Sequence, residues 1–253
     1  MSLPSGFAWL PSVHCKAGQT PGTKAHGKTA CARNEKACLD PMRNTPHEEA
    51  ARYALLRRVA PTLRHHLAGE FQPLGMMAAL MERRLQQSDL TGLREHCTSL
   101  GQLSRQAAER SMALMNWVAP RALADVAVEA GLAECVSLLA TGLRFRGFAL
   151  IHEAGPLSAK VPGHALRSVL PAAILQLSDS SPGPADLHLR AQPSGAQVSI
   201  EIRRVLADRV NENLMPADYR PLQWADVCVL AEAESIVLQQ SGSSVQLLMP
   251  LKN

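Results

Sequence analysis

The sequence predicts an α+β protein: a long antiparallel helical hairpin that dimerises into a four-helix bundle, followed by a two-layer α/β sandwich. Three observations predict it. Apolar residues recur at helical spacing from before Thr62 to Leu85, and a second such run follows a short polar turn. Beyond Pro120, shorter helical patterns alternate with strands. Composition agrees, since aromatic residues make up only 4% and Ala and Leu dominate.

Taken in order, residues 1–44 are rich in Gly, Pro, Lys, Thr and Ser without sustained periodicity, and read as a poorly ordered tail. The hairpin domain spans 45–119. Thr45-Pro-His-Glu48 is a helix start, with Thr at the N-cap, Pro at the first helical position and Glu three residues after the cap. The helix is expected to run to Gln87, kinked but unbroken at Pro61 and Pro73. Ser88–Gly92 reads as the turn and Leu93–Val118 as the second helix. Neither helix buries its stripe in a two-helix hairpin, so a symmetric pair of chains is expected.

The α/β domain spans 120–253. It is expected to contain a short strand or link at 125–128, a helix at 131–143 and a strand at 145–151. A helix at 164–178 follows, then strands at 186–191 and 197–203, of which the second alternates at Val198, Ile200 and Ile202. Residues 206–221 read as loop, 223–234 as helix, and 236–239 and 245–249 as closing strands.

Within the first helix, Ala60, Leu63, Leu67, Phe71, Leu74, Ala78, Met81 and Leu85 form one stripe. His65 lies roughly 160° from its centre and His66 roughly 95°. His65 therefore points to solvent and His66 sits on the flank. An outward imidazole is a competent nucleophile near neutral pH and could accept a phosphoryl group, whereas an ordinary surface histidine would look the same.

The stretch His65-His-Leu-Ala-Gly-Glu-Phe-Gln-Pro-Leu74 resembles the H-box of bacterial sensor histidine kinases. Leu166-Arg-Ser-Val-Leu-Pro-Ala-Ala-Ile-Leu-Gln-Leu-Ser-Asp-Ser180 resembles their N-box helix, and Leu222–Ala231 with the strands ending at Leu251 resembles their closing segment. The resemblance implies an ATPase-like sandwich and places the phosphoacceptor at His65. The sequence departs from the family where the usual acid is His66 and the usual Asn or Thr is Gly69. Ala172 and Gln176 replace the N-box asparagines, the second of which helps the family hold Mg²⁺ on the ATP phosphates. The family's Asp-x-Gly-x-Gly is absent after Arg204, where no glycine occurs through Asn213. The resemblance is therefore closest to kinase-like histidine phosphotransferases that have lost ATP binding.

That resemblance implies a phosphorelay in which response-regulator receiver domains are the partners and supply the Mg²⁺, with no cofactor of the chain's own. Arg64, Gly69 and Met76 are candidate receiver contacts; the alternatives are a solvated Arg64, close helix packing at Gly69 and core filling by Met76 with Met77 and Met81. His66 either orients His65 or packs against the second helix, and Asp179 reads as a helix-end residue. A non-catalytic pseudokinase scaffold is the second reading, and an active ATP-dependent kinase the third.

Other classes have less support. The formal charge of +4 is mild and the basic residues are dispersed, which argues against nucleic-acid binding. No run reaches the roughly 18 apolar residues of a membrane span, and no apolar export segment opens the chain, so a cytoplasmic protein is expected, and the resemblance implies a bacterial one. Cys15, Cys31 and Cys38 share the tail with His14 and His26, but no Cys-x-x-Cys pair exists and no metal site is expected.

Overall fold

The computed structural model describes residues 45–118, 125–153, 155, 157–208 and 219–252, all within one compact unit, Arg43–Asn253. The expected tail, its cysteines and most of the expected 206–221 loop lie outside the described residues.

Helix α1 (Pro46–Gln86) starts where the sequence says. Thr45 is extended, at φ −67° and ψ 153°, and its side chain accepts the Glu48 N–H. The Glu48 carboxylate pairs with Arg52 one turn on, 2.9 Å away. Pro61 and Pro73 both lie inside the continuous helix. Helix α2 (Leu90–Val118) begins earlier than expected because Asp89 caps it: its carboxylate accepts the Gly92 N–H at 2.9 Å. That bond, more than the facing Arg84, holds the Asp89 carboxyl below the usual range. Ser88, at φ 55°, supplies the left-handed residue that turns the chain.

Strand β1 (Asp125–Ala127) pairs antiparallel with β3 (Lys160–Pro162), a strand the sequence pattern did not reveal, in a small sheet of its own. Helix α3 (Val128–Phe145) is longer than expected at both ends. It takes in Phe145, which was expected in a strand, and Gly147 at φ 85° turns the chain into β2 (Phe148–Glu153). Helix α4 (Gly163–Asp179) is followed by β4 (Ala185–Ser194), β5 (Gln197–Leu206), α5 (Trp224–Ala233), β6 (Val237–Ser241) and β7 (Ser244–Pro250). Helix α5 starts with a capping box between Gln223 and Asp226. The hydrogen bonds from Arg220 are the main reason the Asp226 carboxyl titrates low, so its share of stability is present above the ordinary carboxylate range and fades as pH falls through it.

The main sheet runs β2-β4-β5-β7-β6, with β2 parallel to β4 and every other pair antiparallel. Its buried face presents Leu187 and Leu189 from β4, Val198, Ile200 and Ile202 from β5, and Val245, Leu247 and Met249 from β7. Helices α3, α4 and α5 cover it, which gives the expected α+β architecture of hairpin plus two-layer sandwich.

The hairpin is not a separate arm. Ala51, Ala54, Leu55, Val59 and Leu63 of α1 belong to the same core as α3, α4 and α5. Of the eight stripe residues expected to be buried, Leu63 alone is fully so, and Phe71 remains 54% exposed. The amino-terminal half of α1 turns a different face, with Ala51, Ala54 and Leu55, onto the α/β layer. The stripe proper looks partly at α2 and partly outward.

Candidate functional site

The candidate site lies midway along α1, where three helices run side by side. Helix α2 returns antiparallel on one flank, tied by the Arg110–Glu70 pair at 3.0 Å. Helix α3 runs antiparallel on the next. Near its carboxyl end Arg146 shares Asp179 with Arg58 of α1. One turn back, a Cβ at Gly142 would sit 3.5 Å from the Thr62 hydroxyl. A further turn back, Leu138 lines one groove with His66.

That groove, of about 220 Å³, is bordered by His66, Glu70, Arg110, Trp117, Glu134 and Leu138. His66 is accordingly half-buried between α1, α2 and α3, while His65 is exposed. The two rings are 6.3 Å apart and tilted at 55° to one another, so they are not stacked. Sequence periodicity thus places the two rings as found, one outward and one flanking.

Beside His65 the helix surface is open. Gly69 is exposed and a Cβ there would meet nothing within 4 Å, so no close helix packing explains this glycine within the protomer. Met76 is 64% exposed and fills no core, whereas Met77 and Met81 are half-buried. His65, Gly69, Gln72 and Met76, spaced four, three and four apart, form one lane on a single face of the helix. Arg64 is exposed on the neighbouring face, in line with exposed Arg57 one heptad earlier.

The N-box-like positions look different. Ala172 is fully buried and has no side-chain ligand atom, and Gln176 is 5% exposed with its Oε1 sealed from solvent and unpartnered. Neither position therefore offers a Mg²⁺ ligand at the surface of α4. Among the described residues, no group of three or more His, Cys, Asp or Glu side chains could hold a metal ion. No helix among them is long and apolar enough to cross a membrane. The Cys135 thiol is enclosed in the core, and burial pushes its pKa far up, which leaves it inert.

The reading of Asp179 as a plain helix-end residue is corrected. It ends α4, but its carboxylate is buried and accepts four hydrogen bonds. Arg58 binds it bidentately at 2.6 and 2.8 Å, Arg146 at 2.6 Å, and the Leu222 N–H at 2.8 Å. The side chains of Arg58 and Asp179 are each 3% exposed. An acid at a helix carboxyl end is unfavourable alone, and the two guanidinium groups offset it. One signal for Arg58 was present in the sequence: it continues the Ala51, Ala54, Leu55 face at helical spacing, an unusual place for an unpaired charge.

No protein-family model matches the sequence, and no curated protein matches it. Among solved structures, the chain is similar to the Acinetobacter baumannii histidine kinase AdeS, with a TM-score of 0.39 and 12% identity over 72% of this chain and 98% of that one. It is similar to a histidine kinase from Burkholderia phymatum, at 0.38 and 14% over 82% and 98%. It is also similar to the catalytic domain of the histidine kinase ThkA, at 0.38 and 9% over 51% and 93%. At such scores and identities, function has to be argued from the chain's own residues.

Proposed function

We propose that the protein is a homodimeric histidine phosphotransferase that relays phosphoryl groups through His65 between receiver-domain aspartates. The observation that carries this reading is the placement of His65: an exposed imidazole on a rigid helix, at the head of the open lane formed by Gly69, Gln72 and Met76, with the apolar stripe on the opposite side. In the forward step an imidazole nitrogen attacks the phosphorus of a phosphoaspartate. The P–N bond forms, the acyl P–O bond breaks, the aspartate carboxylate leaves, and the imidazole proton passes to solvent. The partner's acidic pocket brings Mg²⁺ and in-line geometry, and the helix contributes a held nucleophile and room to dock. Reversal onto a second receiver completes the relay.

ATP is not the donor in this account, because Ala172 and the sealed Gln176 leave no Mg²⁺ ligand at the two N-box-like positions of α4. Dimerisation follows from the hairpin's exposed apolar band, which includes Phe71, Leu85, Leu90, Met112 and Val118. A two-fold partner covers the same band on both chains and completes a four-helix bundle.

The test is to incubate the protein with phosphorylated receiver domains and, separately, with labelled ATP and Mg²⁺. Acid-labile label should arrive from a receiver and vanish in His65→Ala, while His66→Ala keeps most of it. Label from ATP would overturn the reading. Absence of label from any receiver, in a normal dimer, would favour the pseudokinase scaffold.

A further inference from the structure

Resting on the relay reading, we infer that the segment Tyr219–Leu222 and the Arg57/Arg64 column of α1 form a second, fixed contact for the receiver, and that Asp179 is the positioning residue that holds this contact beside His65.

The segment is strapped across α1 at one level of the helix. The Tyr219 ring meets Tyr53 edge-on at 6.0 Å, and the Arg57 guanidinium lies over it at 5.4 Å. The Arg220 carbonyl accepts from Arg58 at 3.2 Å, and the Leu222 N–H donates to Asp179 at 2.8 Å. Leu222 itself is buried. The strap therefore spans the face between Arg57 and Arg58. Seven residues on, two turns of helix repeat the same directions, so Arg64 stands above Arg57 and His65 above Arg58, about 10 Å along the axis.

That spacing decides the consequence. A receiver-sized domain of about 100 residues has a radius of gyration of about 13 Å. Centred over His65, it overhangs the level of the strap, which lies about 10 Å along the axis. The strap is not a soft neighbour, because it is anchored through Asp179, whose buried carboxylate is saturated by Arg58, Arg146 and the Leu222 N–H. Helix α3 closes the adjoining side through Gly142 and Leu138. The α/β domain is thereby a rigid wall at one end of the lane. Exposed Arg57 and Arg64 give that end a positive rim, which fits an acidic patch on the receiver beside its phosphorylated aspartate.

Two donors separate docking from chemistry. Phosphoramidate needs only an open imidazole, and a phosphorylated receiver domain that labels the native protein needs the docking surface as well. In the whole chain, Asp179→Asn and Arg57→Glu should each raise KM for the receiver about tenfold, the equivalent of about 1.4 kcal/mol of lost binding. The rate at saturating receiver should stay within about twofold, and labelling by phosphoramidate should persist. Arg57 is exposed, so its variant answers the question even where Asp179→Asn loosens the fold, and Arg57→Lys should restore most of the KM. Unchanged KM in both variants would overturn the inference, as would a fall in the saturating rate alone. Native protein labelled by phosphoramidate but by no receiver would instead overturn the relay reading, and this inference with it.

Discussion

Asp179→Ala is expected to lower the free energy of unfolding by about 3–5 kcal/mol, because it leaves the Arg58 guanidinium buried without its counter-charge. The favourable part of a buried ion pair is small, but orphaning one member is costly. Here the orphan is nearly inaccessible to water, and among the described residues the Arg220 carbonyl is what remains to accept from it. For a folded unit of this size the melting midpoint should fall by roughly 6–20 °C. Arg58→Ala should cost less, since Asp179 keeps Arg146 and the Leu222 N–H. The exposed Arg84–Asp89 pair, also 2.8 Å long, is the comparison: Arg84→Ala should leave the midpoint nearly unchanged. Equal small shifts from all three substitutions, measured by calorimetry or denaturant titration, would remove Asp179 from its place as anchor.

The second large effect concerns assembly. Phe71→Glu should convert the dimer to a monomer at micromolar concentration. Phe71 is 54% exposed in the single chain and belongs to the apolar stripe of α1, on the side away from His65. Burying the half of this side chain that is still exposed is worth about 0.8–1.6 kcal/mol, and a two-fold interface loses it twice. The resulting roughly 1.6–3 kcal/mol weakens association by at least about tenfold, before counting the larger cost of burying two carboxylates. Met76→Glu supplies the contrast. Met76 is as exposed as Phe71 but lies on the His65 lane, so its substitution should leave sedimentation unchanged and impair receiver transfer. A Phe71→Glu protein that still sediments as a dimer would mean that another surface joins the chains.

Much of this was legible in the sequence because it is local. Thr45, Pro46 and Glu48 mark the start of α1, and a sustained period carries it through two prolines that would break a weaker pattern. The same period separates His65, directed outward, from His66 on the flank. Local signals also failed where competing chemistry was weak on paper. Asp89 moved the start of α2 by capping it, and the helix pattern of α3 ran on through Phe145 until Gly147 turned the chain. What could not be read is the clamp. Arg58 and Asp179 are 121 residues apart, and no periodicity links a residue in one helix to the end of another. The face that α1 turns onto the α/β layer was hidden for a related reason. Small Ala51 and Ala54 signal close approach less strongly than the Leu and Phe of the stripe, although they are the buried ones.

Three surfaces of α1 have separate surroundings. The stripe that dominates the hydrophobic pattern is left partly uncovered in the single chain, the Ala51–Leu55 face and Arg58 hold the α/β domain, and the lane at His65 is exposed. In this account the α/β layer acts as a support and a docking wall, and its N-box positions have been absorbed into the core.

The most direct measurement maps the phosphoryl group itself. After brief mixing with a phosphorylated receiver, the protein is digested under neutral to alkaline conditions, and the α1 peptide carrying both histidines is fragmented in a mass spectrometer. A phosphoryl group is expected on His65, none on His66, and none on either after incubation with ATP and Mg²⁺. A phosphoryl group on His66, or one that arrives from ATP, would contradict the relay through His65.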